Sequence, residues 1–157
     1  MAAMHFSTRP PGPVVVGVDG SPNSMAALRR AVLKAAERGA DLEMIYVIGC
    51  DADPAAVSAG YAMLDAASQC VAAAGLCVHN AKRTVACGDP AEILVKHGVG
   101  AQLLIIGGYG QSGHGNLLGG DIVPYCLGRA ACSVIVCADQ HESARPLTTA
   151  NAPDTAE

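Results

Sequence analysis

Residues Val14 to Ala40 read "VVVGVDGSPNSMAALRRAVLKAAERGA", and this stretch decides the fold. It opens with a nearly continuous β-branched run closed by Asp19-Gly20. Such runs mark strands buried on both faces, as in parallel sheets. A helix signal follows at once. Ser21 suits the N-cap, Pro22 the first helical position, and Gly39 a C-cap after the last turn. Met25, Leu28, Val32 and Ala35 form an apolar stripe at helical spacing. Strand, tight turn and helix in immediate succession are the opening of a β-α-β unit.

The same alternation continues to the end of the ordered pattern. "DLEMIYVIG" (Asp41 to Gly49) is a second strand. A polar connection leads to an Ala-rich helix from about Val57 to Ala74, ended by Gly75. "CVHNAKRTVAC" (Cys77 to Cys87) is a third strand, polar enough to lie near an edge. "GDPAEILVKHG" carries a second clean helix start, with Asp89 as cap, Pro90 behind it and Glu92 in the capping-box position. "QLLIIGG" is a fourth strand, "DIVPYCLGRAA" a short helix and "CSVIVCA" a last strand. The order β-α-β-α-β-α-β-α-β predicts a doubly wound, open, parallel five-stranded α/β sheet with helices on both faces and right-handed crossovers. In such sheets ligands lie beyond the carboxyl ends of the strands, where the strand order reverses.

The domain is expected at 14–138. Residues 1–13 read as a flexible arm and 139–157 as a disordered tail. Composition narrows the function. The net charge is −4 and no basic stripe is evident, which argues against nucleic acid as a partner. No apolar run reaches the roughly 18 residues of a membrane span, and no secretory signal is present. A cytoplasmic protein is the expectation. Aromatics make up 3% of the chain, so Ala, Val, Ile and Leu must build the core. The seven cysteines lack any C-x-x-C pairing; they are expected to be reduced, buried thiols rather than disulfides or metal ligands. Neither a metal site nor a nucleophile–base pair stands out.

The fourth strand runs into "GGYGQSGHGNLLGGD" (Gly107 to Asp121), with seven glycines in fifteen residues. Gly108 to Gly113 matches G-x-G-x-x-G, but glycines at 115, 119 and 120 prevent an immediate helix and no acidic residue closes the next strand at the required distance. A P-loop is excluded because G-K-[ST] is absent. The informative spacing is Gly107-x-x-Gly110, nine residues, then Gly120. With "VVVGVDGS", "GDPAEILVKHG" and "CSVIVC", it resembles the ATP-binding universal stress proteins from about Val14 to Cys137. The resemblance implies strand order 3-2-1-4-5 and a homodimer paired along the last strand, Ser133 to Cys137. It also implies an ATP or AMP site between the first and fourth strands. Gly17, Val18 and Asp19 match the first turn, and Val47 the second-strand contact, which hold adenine and ribose. Ile106, Gly107, Gly110, Gly120, Asp121 and Ile122 match the phosphate loop and the start of the helix after it.

Asp121 departs from the family's Ser or Thr at this position. Aspartate is a good N-cap and suits the positive helix end, but it cannot donate a hydrogen bond to phosphate. Two like charges about 4 Å apart cost on the order of 4 kcal/mol at an effective dielectric of 20, roughly a thousandfold in affinity. A bridging Mg²⁺ would reverse that sign. Two readings follow: a stress-response regulator whose nucleotide binding is weakened by Asp121, and a nucleotide-free dimeric interaction module of the same family. The remaining possibility considered is a hydrolase of the wider adenine-nucleotide superfold; the Ser-Gly-Gly-x-Asp-Ser type of loop it requires is absent. Slow ATP hydrolysis would need a positioned base, and the sequence shows none.

Overall fold

In a computed structural model, residues 12–76, 80–108 and 122–138 are described. Nine elements alternate along them: β1 (Val14–Gly17), α1 (Pro22–Arg38), β2 (Leu42–Ile48), α2 (Pro54–Ala73), β3 (Ala81–Cys87), α3 (Pro90–Gly98), β4 (Leu103–Gly107), α4 (Ile122–Arg129) and β5 (Ser133–Cys137). The strands form one sheet in the order β3-β2-β1-β4-β5, and every pairing is parallel. This is the expected doubly wound architecture. The expected arm (1–13) and tail (139–157) lie outside the described residues, apart from Gly12 and Pro13.

The layers follow from side-chain alternation along the strands. Val14 and Val16 of β1 face one way and join Leu28, Val32, Leu64 and Val71 of α1 and α2. Val15 faces the other way and joins Leu94 of α3 and Cys126 of α4. Each face of β1 is therefore covered, which is why its sequence is apolar without alternation. β3, whose polarity predicts a place near an edge, is the outer strand beyond β2.

Three helices start with one device. Ser21, Asp53 and Asp89 each accept a hydrogen bond from the N–H three residues on, and each precedes a proline. The proline gives up an N–H that has no helical partner anyway. With Asp53 as cap and Pro54 as its first residue, α2 begins three residues before the expected Val57. β3 begins at Ala81, four residues later than expected; residues 77–79 are outside the described set. The apolar stripe of α1 is buried as predicted at Leu28, Val32 and Ala35, but Asn23 and Ser24 are buried on the same helix.

The cysteine expectation requires correction. Cys126 is buried and Cys132 and Cys137 are half-buried, but Cys50, Cys70 and Cys87 are exposed. Cys50 lies in the turn after β2, Cys87 ends the edge strand, and Cys70 sits on the outer face of α2. These positions border the core without entering it. The described cysteines are free thiols.

Candidate functional site at the carboxyl ends of β1 and β4

β1 and β4 are neighbours, and their chains leave in opposite directions, β1 through α1 to β2 and β4 toward β5. The switch point therefore lies between Gly17 and Gly107. Gly17 is level with Ile45 of β2, and Gly107 with Cys137 of β5. Val47 stands two residues beyond Ile45, at the same carboxyl edge.

The turn after β1 is built from backbone hydrogen bonds and two serines. Val18 N–H donates to the Ile45 carbonyl at 2.9 Å, extending the ladder past the strand. Asp19 N–H donates to Ser24 Oγ at 3.1 Å. The Asp19 carboxylate accepts from Ser21 N–H at 2.8 Å. Ser24 Oγ in turn donates to the Ser21 carbonyl at 3.0 Å. Gly20, at φ 86, supplies the left-handed residue that the reversal needs. Asp19 thus realises the turn role that Asp-Gly implies, and one of its oxygens is held by the helix start.

The end of β4 is clamped to α1. A Cβ at Gly107 would lie 2.8 Å from Asn23 C and 2.8 Å from Ser24 N. Asn23 Nδ2 donates to the Gly108 carbonyl at 3.1 Å, and Gly108 N–H donates to the Cys137 carbonyl. The amino end of α1, the ends of β4 and β5 and the first turn are thereby fixed to one another. The amino end of a helix carries partial positive charge, which suits an anion.

Of the sequence-predicted residues, Gly17, Val18, Asp19 and Gly107 come together at this junction, with Val47 one strand away. Val18 is packed in the core on the α1 side of the sheet. Ile106 and Ile122 pack in the core on the α3 and α4 side. These three can meet a ligand only through their backbones. Gly110, Gly120 and Asp121 lie outside the described residues. Sequence reasoning missed Asn23, Ser24 and Leu94. Leu94 closes the underside of Gly17, where a Cβ would meet its methyls at 3.2 Å. The available signal was "SPNS": two polar residues placed where the apolar stripe of α1 continues.

A second polar cluster lies away from the junction. Glu43 of β2 is buried, and its Oε2 accepts from Thr84 Oγ1 at 2.9 Å. The same oxygen is 3.3 Å from His97 Nδ1 and 3.7 Å from Lys82 Nζ. Among the described residues, no group of three or more His, Cys, Asp or Glu side chains could hold a metal ion. None of the described helices is long and apolar enough to cross a membrane.

A parallel sheet in the order 3-2-1-4-5 with a glycine-bounded switch point defines an open, doubly wound α/β protein. The chain belongs to the universal stress protein family, whose model matches residues 12–138. A universal stress protein of Mycobacterium tuberculosis is 35% identical over 151 residues, covering 90% of this chain and 53% of the relative. The chain thus spans about half the length of the curated relatives it matches. A crystal structure of a universal stress protein in complex with cAMP has a TM-score of 0.65 at 29% identity, covering 82% of this chain and 97% of that one. A universal stress protein from Archaeoglobus fulgidus, solved in complex with dAMP, shares the fold, with a TM-score of 0.61 at 20% identity over 80% of this chain and 97% of its own.

Proposed function

We propose that this chain is a stress-response regulator that binds an adenine nucleotide across the carboxyl ends of β1 and β4 as a ligand rather than a substrate. The observation that carries this reading is the Gly17–Gly107 junction. Two adjacent strand ends close on glycine there, beside the amino end of α1, which is seated against Gly107. The similar universal stress protein solved with cAMP supports the ligand class. In this reading Gly17, Val18, Asp19 and Val47 hold the adenosine half. Ile106, Gly107, Gly110, Gly120, Asp121 and Ile122 surround the phosphates, largely through backbone N–H groups. Asp121 sets the affinity. Its carboxylate opposes the phosphates, and ATP binds weakly unless Mg²⁺ bridges the two charges.

The cytoplasm and a homodimer are part of the same proposal. β5 is an edge strand with half-buried Val134, Ile135 and Val136, and pairing along Ser133 to Cys137 would satisfy its open backbone. The competing reading, a nucleotide-free interaction module, is favoured by one observation. An Asp19 oxygen is held by Ser21 N–H, so the turn is complete without a ligand.

Equilibrium binding of adenosine, AMP and ATP in the absence of metal tests the proposal. The expected order is adenosine and AMP ahead of ATP, because each added phosphate meets Asp121. Absence of binding by all three, with and without Mg²⁺, would establish the interaction module instead.

A further inference from the structure

Two exposed thiols stand at corresponding places in adjacent strand-to-helix turns. β2 runs into "GCDADP" (Gly49 to Pro54), and β3 ends in "CGDP" (Cys87 to Pro90). In each, a cysteine beside a glycine precedes the Asp-Pro start of a helix, α2 or α3. Cys50 and Cys87 are both exposed.

The register of the sheet brings these turns together. β2 and β3 pair in parallel, with Ile48 level with Cys87. The pairing continues past the strand end, where Gly88 N–H donates to the Ile48 carbonyl at 3.0 Å. Cys50 is thus two residues beyond the register partner of Cys87. Tyr46 and Val85 both lie under Gly60 of α2, where a Cβ would meet them at 2.9 and 3.0 Å. Cys87 follows Val85 by two residues and so shares its face, and Ile48 continues the row of Tyr46 toward Cys50.

Neighbouring strands are about 4.8 Å apart and rise about 3.3 Å per residue. Were β2 to run on straight, the Cα atoms of Cys50 and Cys87 would be about 8 Å apart. A disulfide spans about 4.4–6.8 Å. The difference, about 1–2 Å, falls to the reversal from Gly49 to Ala52. That reversal is closed by Ala52 N–H donating to the Gly49 carbonyl at 3.1 Å, and it begins on a glycine. A link that must draw in a turn is labile, as regulatory disulfides are.

We propose that Cys50 and Cys87 are a redox modification site, which hydrogen peroxide converts to a disulfide bridging the turns after β2 and β3. One thiolate attacks the peroxide, giving a sulfenic acid and, with the thiol's proton, water. The other thiol attacks that sulfur. The S–S bond forms as the S–O bond breaks, and a second water leaves. The two thiols give up two electrons and two protons, and the peroxide is reduced. Reduced glutathione restores the thiols by exchange. Disulfides in reducing compartments are usually transient ones of this kind. The bridge ties the approach to α2 to the start of α3, three residues beyond Val47, and forms with or without a nucleotide.

Exposure of the full chain to hydrogen peroxide, then blocking of free thiols and non-reducing peptide mapping, tests this. The expected main product is a Cys50–Cys87 link within one chain, removed by reduced glutathione. Cys70, also exposed, is the internal control and should stay unlinked. In Cys50→Ser, Cys87 lacks its partner and should reach the sulfinic acid severalfold faster than in the wild type. The proposal is overturned if Cys50 or Cys87 joins Cys70 or Cys77 as often as each other. It is also overturned if the link forms only between two copies, or if both thiols of the wild type pass to sulfinic acid unlinked. An unchanged rate of Cys87 overoxidation in Cys50→Ser would equally overturn it.

Discussion

The backbone of Ser24 occupies the space where a side chain on Gly107 would begin. A Cβ there would sit 2.8 Å from Ser24 N, and its other near neighbours are also backbone atoms, of Asn23. Helical backbone cannot step aside as a side chain can. Gly107→Ala should therefore cost about 1–3 kcal/mol, the range for overpacking a tight site. Gly17→Ala should cost less, because its obstacle is the Leu94 side chain at 3.2 Å. Urea denaturation of both variants measures the contrast. An equal loss would mean that α1 is not rigidly seated on β4.

Glu43 and Thr84 should be energetically coupled. The carboxylate is buried and accepts from Thr84 Oγ1 at 2.9 Å, with His97 and Lys82 at the same oxygen. Removing one member of such a cluster leaves buried polar groups unsatisfied, at about 1–3 kcal/mol. A double-mutant cycle of Glu43→Ala and Thr84→Val should return an interaction of about 0.5–3 kcal/mol. Strict additivity would show the contact to be incidental.

Cys126 makes stability fall at alkaline pH. Burial, and to a smaller extent Cys132, pushes its thiol from an ordinary 9.0 to about 11. The unfolded chain then loses the proton at a lower pH than the folded chain, so the folded state binds more protons between these values. Stability therefore decreases as pH rises across that window and is unaffected by this group below it. Cys126→Val should flatten the decline measured by denaturation from pH 8 to 11. An unchanged slope would assign the decline to other groups. In native protein a maleimide should label the exposed Cys50, Cys70 and Cys87 before Cys126.

The frame of the fold was legible in particular residues. The double-sided burial of β1 was written in Val14 to Val16, and the helix starts in Ser21-Pro22 and Asp89-Pro90. The polarity of Lys82, Arg83 and Thr84 gave the edge position of β3. The start of α2 was obscured because Asp51 and Asp53 make its approach look like loop. Asn23 and Ser24 were missed for a different reason: their burial depends on β4 arriving against α1, a contact between residues more than eighty positions apart. Glu43 was hidden likewise, since it is stabilised by partners from β3 and α3 that no local pattern pairs with it. Gly17 and Gly107 were legible as the glycines that close the first and fourth strands. That Gly107 also makes room for α1 was visible only in three dimensions.

Metal-free ATP binding to the wild type and to Asp121→Ser decides whether Asp121 sets the strength of the proposed nucleotide site. Weak wild-type binding is expected, with a gain on the order of a thousandfold in the variant, the equivalent of about 4 kcal/mol of relieved repulsion. Tight metal-free binding by the wild type with no gain from Asp121→Ser would contradict it.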